Sequence, residues 1–185
     1  MNMRLHLVRH PAPLVAQGTC YGRSDVAAET LSPAALARLR ASLPPGAPLY
    51  SSPLRRCAEF AQALGLGAPI IDARLAELDF GQWEMRRWDA IARSEIDAWA
   101  ADVACYRPGG GECVADMARR VAAFCDALAQ APQAEAIVVC HAGTMRLLAA
   151  CRHGLSPADM ARAAAANAHA IAYGALLTLD FPHEV

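Results

Sequence analysis

Short apolar runs alternate with amphipathic stretches along most of the chain. The runs 3–8, 48–51 and 137–140 each end directly before basic or polar side chains. Apolar runs of this length predict buried strands, and the amphipathic stretches between them predict helices. This alternation is typical of an α/β fold, so we predict a three-layer α/β/α sandwich with a mainly parallel sheet and helices on both faces.

Serine–proline pairs mark three predicted helix starts. Serine is a favoured N-cap and proline fits the first helical position, and the pairs stand at 32–33, 52–53 and 156–157. The predicted helices cover 34–43, 54–64, 88–102, 112–131, 144–153 and a segment that begins at 157. Glu112 is expected to favour the N-terminal dipole of its helix. Further strands are predicted at 70–72 and within 171–181.

The charged residues exclude several enzyme chemistries. All 17 basic residues of the chain are arginine. Without lysine there is no Walker-A phosphate-binding loop, no lysine Schiff base and no anchor for pyridoxal phosphate. The net charge of −1 gives no global field that attracts nucleic acid or a membrane, so we expect neither as a partner.

Length and cysteine usage set the protein class. A chain of 185 residues predicts one domain over 1–185. No apolar run reaches the roughly 20 residues that span a bilayer, and no signal peptide is visible, so we expect a cytoplasmic protein. The seven cysteines are odd in number and form no C-x-x-C pair, which favours reduced core residues. We expect no cofactor and no metal, and the sequence gives no oligomeric state.

Histidines and arginines follow the predicted strands. Arg9 and His10 end the first run, Arg56 follows the second, and His141 ends the third. Parallel strands bring their carboxyl ends to one edge of the sheet, where α/β folds bind ligands. Arginine forks bind phosphate oxygens, and a neutral imidazole can carry a phosphoryl group. A carboxylic acid within 77–84 can protonate the leaving oxygen. The pattern indicates phosphoryl transfer through a histidine.

The chain resembles the histidine phosphatase superfamily, the phosphoglycerate-mutase-like proteins, over nearly its whole length. The resemblance lies in ordered blocks at the family's spacing, namely Leu7–His10, Tyr50–Arg56, Leu75–Glu84, Pro108–Glu112 and Val138–Gly143. It implies the phosphoglycerate-mutase-like fold. It also implies a metal-independent phosphomonoesterase that acts on a small phosphorylated metabolite and releases inorganic phosphate.

The resemblance also implies roles for individual residues. His10 would be the nucleophile that becomes phosphohistidine. Arg9, Arg56 and His141 would hold the phosphoryl oxygens, and the family spacing selects Arg56 rather than Arg55. His141 is expected to be protonated when a phosphate dianion is bound.

Two carboxylic acids are candidates for the proton donor. By resemblance, Glu77 would be the proton donor and then the general base, with Glu84 as the alternative. Asp79 is expected to be a structural hydrogen-bonding partner. The segment 81–111 would form a lid or insertion.

Two positions depart from the family pattern. Pro11 replaces the glycine that follows the nucleophile, and Phe60 replaces a usual threonine. Proline removes one backbone N–H from the phosphate pocket and fixes φ near −65°. The carbonyl of Pro11 remains available to fix the tautomer of His10. We expect a working pocket with slower turnover.

The loop Gly18–Asp25 resembles the C-Y-G-x-x-D loop of α-ribazole phosphatases. That resemblance implies α-ribazole 5′-phosphate as the substrate. Tyr21 is then expected to stack on a base, and Arg23 to meet a ribose or a phosphate. The alternatives are a broad-specificity histidine phosphatase, a phosphoglycerate mutase, a protein phosphohistidine phosphatase, and a catalytically impaired phospholigand-binding protein.

Overall fold

Five strands form one sheet in the part of the chain that the computed structural model describes, residues 3–151, 153–166 and 170–181. The strands are β1 (Met3–Arg9), β2 (Leu49–Ser51), β3 (Ile70–Ile71), β4 (Glu135–Cys140) and β5 (Leu176–Phe181). Their order in the sheet is β3-β2-β4-β1-β5. All pairings are parallel except that of β5 with β1. The predicted mainly parallel sheet is confirmed.

Helices cover both faces of this sheet. They are α1 (Pro33–Ala41), α2 (Arg55–Ala63), α3 (Arg93–Ala101), α4 (Val114–Ala129), α5 (Ala142–Cys151) and α6 (Pro157–Ala166). α4, α5 and α6 pack on the face that carries Leu7 and Val138, and α1 and α2 pack on the face that carries Val8 and Val139. Burial on both faces explains why the central strands read as continuous apolar runs. None of the helices in the described ranges combines the length and apolarity needed to cross a membrane.

The strand register brings the predicted site residues to one edge. Arg9 of β1 pairs with Cys140 of β4, so the residues that follow, His10 and His141, leave the sheet side by side. β2 runs parallel to β4, and Ser52 follows it at the same edge. This is the convergence that the parallel arrangement predicts.

Two of the three serine–proline helix starts are confirmed. The hydroxyls of Ser32 and Ser156 each accept a hydrogen bond from the backbone N–H three residues later, at the starts of α1 and α6. α2 instead begins at Arg55, after Leu54, without a side-chain cap. The prediction that Ser52 caps this helix is therefore wrong. Its hydroxyl accepts a hydrogen bond from the Leu54 N–H at 3.3 Å, before the helix begins, and also contacts His141.

Two other helices begin later than predicted. The segment 88–102 opens with a single 3₁₀ turn, and α3 begins only at Arg93. α4 begins at Val114, so Glu112 lies outside the helix. Its carboxylate instead receives hydrogen bonds from Arg120, at 2.8 and 2.9 Å.

The segment 81–111 carries an aromatic cluster of its own. Trp83 is 1% exposed and packs with Cys20 and Ile91. Trp88 and Trp99 stack with their ring planes 6° apart and their centroids at 6.0 Å. The cluster packs this segment against the loop that carries Cys20.

Two backbone segments meet at Gly81 and Gly109 without room for side chains. A Cβ on Gly109 would lie 2.3 Å from the Phe80 carbonyl oxygen, and one on Gly81 would lie 2.4 Å from the Gly109 carbonyl oxygen. Both glycines have positive φ, at +52° and +58°. Gly110 also has positive φ, at +76°, but a Cβ there would meet nothing within 4 Å.

We expect Gly109→Ala to destabilise the protein more than Gly110→Ala. Both replacements place a side chain at positive φ, which costs about 1–2 kcal/mol. Only Gly109→Ala adds a backbone clash, worth roughly 1–3 kcal/mol more. Urea unfolding of both variants measures the difference, and equal losses in unfolding free energy would show that this close approach is absent.

Candidate active site

His10 and His141 face each other at the carboxyl edge of the sheet. Their ring centroids are 5.1 Å apart. Each residue is only 1% exposed. Two buried imidazoles beside two arginines make this edge the candidate active site.

The His10 imidazole is held in one tautomer. Its Nδ1 lies 2.6 Å from the carbonyl oxygen of Pro11. A carbonyl only accepts hydrogen bonds, so Nδ1 carries the proton and Nε2 keeps its lone pair. The proline at this position therefore leaves the tautomer-fixing contact intact, and Nε2 is the nitrogen that can attack an electrophile.

His10 is neutral in the unliganded site. Its pKa is lowered from 6.5 to about 3, mainly by burial and also by the Arg56 and Arg9 cations, while the Pro11 carbonyl acts in the opposite direction. Removing a charged imidazole from water costs more than removing a neutral one. The nucleophilic form of His10 is therefore the resting form at neutral pH.

His141 is also neutral and is fixed from both ring nitrogens. Its Nδ1 accepts a hydrogen bond from Arg56 Nε at 3.3 Å, and its Nε2 donates to the Ser52 hydroxyl at 2.8 Å. Burial lowers the pKa of His141 well below its ordinary value, and Arg56 and His10 add to the effect. The predicted protonation of His141 beside a bound dianion requires Arg56 to release Nδ1.

Arg56 is a buried cation held by dipoles. It is 1% exposed. Its Nη1 donates to the Ser24 carbonyl at 2.7 Å and its Nη2 to the Gly22 carbonyl at 2.5 Å. Among the ion pairs of the described residues, none joins Arg56 to a carboxylate. A buried guanidinium without an anionic partner is a strong site for a phosphoryl group.

Arg9 supplies a second cation at the same edge. Its Nη1 donates to the Ile171 carbonyl, and its guanidinium carbon lies 3.8 Å from the centre of the Tyr173 ring. The buried Nε of Arg9 finds no hydrogen-bond acceptor within the described ranges. An unsatisfied buried donor is costly, and a phosphoryl oxygen is the type of acceptor that would satisfy it.

Glu77 meets the start of α5. Its carboxylate accepts hydrogen bonds from the backbone N–H groups of Leu78 and Gly143, both at 3.0 Å. A Cβ on Gly143 would lie 2.3 Å from Glu77 Oε1, so only glycine permits this approach. Arg120 fastens the same segment through the Glu77 carbonyl at 3.2 Å. Glu77 thus lies at the N-terminus of the helix that follows His141.

The Glu84 carboxylate accepts hydrogen bonds from the backbone of two loops. Its two oxygens accept hydrogen bonds from the N–H groups of Arg23, Ser24 and Phe80 at 2.6–3.0 Å. The Ser24 hydroxyl donates to it as well. These contacts describe a carboxylate that organises loops, which leaves Glu77 as the candidate acid.

The loop Gly18–Asp25 lies against this site but contributes its residues unequally. Tyr21 is close to Arg56, with the guanidinium carbon 5.3 Å from its ring centre. Arg23 pairs instead with Glu112 at 3.1 Å and Asp79 at 3.8 Å. The Arg23 cation is thus engaged within the protein.

A cavity of about 350 Å³ opens beside Glu77 and Tyr21. Its walls are mostly apolar and aromatic, formed by Leu78, Phe80, Trp88, Trp99, Val103, Val114, Met117, Leu147, Ala164 and Ala165. Polar side chains enter from Thr19, Glu77 and Arg146. The volume and the lining are typical of a small-molecule site.

Two contacts of this site were absent from the sequence prediction. Tyr173 lies over Arg9 and its ring centroid is 5.6 Å from that of His10. Ser52 was assigned to a helix start, yet it holds His141. The tyrosine sits in a stretch between α6 and β5 with no motif of its own, so no sequence signal identified it.

Within the described ranges, no group of three or more His, Cys, Asp or Glu side chains is placed to hold an ion. Cys57 lies near His141, its Sγ 3.4 Å from Nε2. Burial raises the pKa of the Cys57 thiol, which keeps it protonated.

Comparison with known families supports the interpretation of this edge as an active site. The model of the histidine phosphatase superfamily (branch 1) matches residues 5–174. No curated protein matches the sequence closely enough to count as a relative.

Solved structures share the fold at low identity. A protein from Escherichia coli K-12, proposed to be an alpha-ribazole-5′-P phosphatase, has a TM-score of 0.79 and 24% identity over 98% of this chain and 91% of that chain. A mycobacterial glucosyl-3-phosphoglycerate phosphatase has a TM-score of 0.77 and 24% identity over 97% and 91%. A phosphoglycerate mutase from Thermus thermophilus has a TM-score of 0.72 and 25% identity over 97% and 94%.

We expect stability to rise with pH between about 3 and 6.5, because unfolded His10 takes up a proton there and native His10 does not. The contribution is fully present above pH 6.5 and is lost as the pH falls. His10→Asn should flatten the dependence of unfolding free energy on pH by up to about 1.4 kcal/mol per pH unit.

Urea unfolding across this window measures the slope, and replacement of the exposed His153 by Gln serves as the matched control. An unchanged slope in His10→Asn would contradict the neutral buried imidazole.

Proposed function

The chain belongs to branch 1 of the histidine phosphatase superfamily and is a phosphatase, and on that premise we propose that it hydrolyses α-ribazole 5′-phosphate through phospho-His10. The observation that supports this choice of substrate is the apolar, aromatic cavity beside Glu77 and Tyr21. The dimethylbenzimidazole base of α-ribazole is planar and apolar, so it gains from such walls. The likeness to the Escherichia coli structure points the same way.

The first step is attack of His10 Nε2 on phosphorus. The Nε2 lone pair forms the N–P bond while the bond from phosphorus to the ester oxygen breaks. Glu77 gives its proton to that oxygen, so the alcohol leaves neutral. Arg9 and Arg56 neutralise the charge on the three remaining phosphoryl oxygens.

The second step reverses these roles. Glu77, now a carboxylate, takes a proton from water while the water oxygen attacks phosphorus. The N–P bond breaks and its electron pair returns to Nε2, which releases inorganic phosphate. The Pro11 carbonyl keeps the proton on Nδ1 throughout, so His10 needs no tautomer change between turnovers.

The cavity also argues against two alternatives. The leaving group of a phosphoglycerate is small, polar and anionic, and it would gain little from walls built by Phe80, Trp88 and Trp99. A phosphorylated protein side chain would have to pass these walls with its backbone attached, although the cavity holds only about 350 Å³. A nucleoside of modest size is the better match.

The first experiment measures phosphate release in the presence of a chelator. The substrates are α-ribazole 5′-phosphate, ribose 5-phosphate and p-nitrophenyl phosphate, with His10→Ala as the inactive control. We expect kcat/KM for α-ribazole 5′-phosphate to exceed that for ribose 5-phosphate about a hundredfold, the value of burying a bicyclic base.

Each outcome decides a different part of the proposal. Equal rates with and without the base would remove the substrate assignment and leave a broad-specificity phosphatase. Turnover by His10→Ala would remove the nucleophile. Phosphate binding without any turnover would indicate a phospholigand-binding protein in which Pro11 has disabled the pocket.

The two candidate acids are separated by Glu77→Gln and Glu84→Gln. We expect Glu77→Gln to lower kcat/KM for α-ribazole 5′-phosphate roughly a hundredfold or more, because kcat/KM reports the first step, in which an alkoxide leaves poorly without a proton. Its effect on kcat/KM for p-nitrophenyl phosphate should be much smaller, because nitrophenolate leaves without help. The kcat values should fall for both substrates, because both pass through the same hydrolysis of phospho-His10. Glu84→Gln should lower thermal stability and affect both substrates alike. The reverse pattern would assign the acid to Glu84.

A further inference from the structure

Two tyrosine hydroxyls meet across the site. The Tyr21 and Tyr173 hydroxyl oxygens are 2.8 Å apart. Tyr21 lines the apolar cavity and lies near Arg56. Tyr173 stacks on Arg9 and contacts the His10 ring. The pair therefore links the cavity side of the site to the nucleophile side.

This link lies where the nucleophile is covered. His10 is only 1% exposed, yet its Nε2 must come within roughly 3–3.5 Å of phosphorus to attack. The described residues that line the cavity include Tyr21 and Glu77 but not His10. Some group between the cavity and His10 must therefore move before reaction.

The neighbours of His10 differ in how firmly they are held. His141 is 1% exposed and is bonded through both ring nitrogens. Tyr173 is 42% exposed, and it is followed by Gly174, which has φ +71°. Among the described residues, the Tyr173 side chain has one hydrogen bond, to Tyr21, and its ring packs on Arg9. Of these two neighbours, Tyr173 is the less firmly held.

We propose that the Tyr21–Tyr173 hydrogen bond is a gate, which keeps His10 covered until a substrate enters and its leaving group packs against Tyr21. The proposal rests on the proposed function for the identity of that leaving group. A leaving group that packs on the Tyr21 ring moves Tyr21 away from Tyr173. The apolar area buried in that contact offsets the free energy lost with the hydrogen bond. A substrate with a very small leaving group must open the gate without that compensation.

The size of the effect follows from the hydrogen bond itself. A hydrogen bond between two neutral hydroxyls shifts an equilibrium about fivefold. Removal of either hydroxyl should open the gate to the same extent, because each removal breaks the same bond. The double variant should then show no further change.

The first test measures the accessibility of His10 when no substrate is bound. Diethyl pyrocarbonate acylates neutral imidazoles, and peptide mapping gives the rate at His10 relative to exposed His153. We expect Tyr173→Phe, Tyr21→Phe and the double variant each to raise the relative rate about fivefold. Tyr50→Phe is the matched control, because it removes a hydroxyl that receives a hydrogen bond from Gln133 elsewhere in the fold.

The second test measures turnover. Acetyl phosphate has a leaving group too small to fill the cavity. We expect Tyr173→Phe to raise kcat/KM about fivefold for acetyl phosphate and to the same extent for α-ribazole 5′-phosphate, because the cost of uncovering His10 enters kcat/KM for every substrate. The phenylalanine ring still covers the Arg9 guanidinium, so the phosphate-binding geometry is retained.

Several results would overturn the gate. An unchanged labelling rate at His10 in Tyr173→Phe would show that the tyrosine pair does not cover the nucleophile. A lower kcat/KM for acetyl phosphate would make the hydroxyl a substrate-binding group instead. The labelling and acetyl phosphate arms need no α-ribazole, so failure of the proposed substrate would appear separately, as inactive α-ribazole 5′-phosphate with labelling still enhanced.

Discussion

The buried charge of Arg56 is the constraint on which the rest of the site depends. A guanidinium that is 1% exposed would be prohibitively costly without compensation. The loop carbonyls of Gly22 and Ser24 and the ring of His141 supply that compensation as dipoles. Because none of these carries a negative charge, the site keeps its affinity for an anion. The same cation helps to keep both imidazoles neutral, so the positive charge of the site and the neutral state of its histidines share one cause.

Tyr21 and Glu77 lie between a polar region and an apolar region of the site. The histidines and Arg9 gather at the ends of β1 and β4, where the Pro11 carbonyl is available. The cavity is walled by aromatic side chains from the 81–111 segment and by α4–α6. Tyr21 and Glu77 stand where the two regions meet. A site that binds both a dianion and an apolar group needs such a division. A buried charge requires polar partners, whereas a buried apolar group does not.

Local sequence patterns predicted the sheet and the meeting of both histidines with Arg9 and Arg56 at its carboxyl edge, because strand ends and their register are fixed by short apolar runs. Family resemblance, not periodicity, separated Arg56 from Arg55 and named Glu77. Neither the local patterns nor the resemblance identified the roles of Tyr173 and Ser52, because these depend on contacts between residues far apart in the sequence. Tyr173 lies 152 residues from its hydrogen-bond partner Tyr21. The same holds for Ser52, which holds a histidine 89 residues away.

Glu112 joins parts of the molecule that are distant in sequence. Its carboxylate binds Arg23 of the 18–25 loop and Arg120 of α4, and Arg120 in turn holds the backbone carbonyl of Glu77. The 18–25 loop and the segment that carries Glu77 are thus anchored to one side chain. In evolutionary terms, the identities at 23, 112 and 120 should covary among homologues, and a lineage that lost the glutamate would have to rebuild both anchors at once.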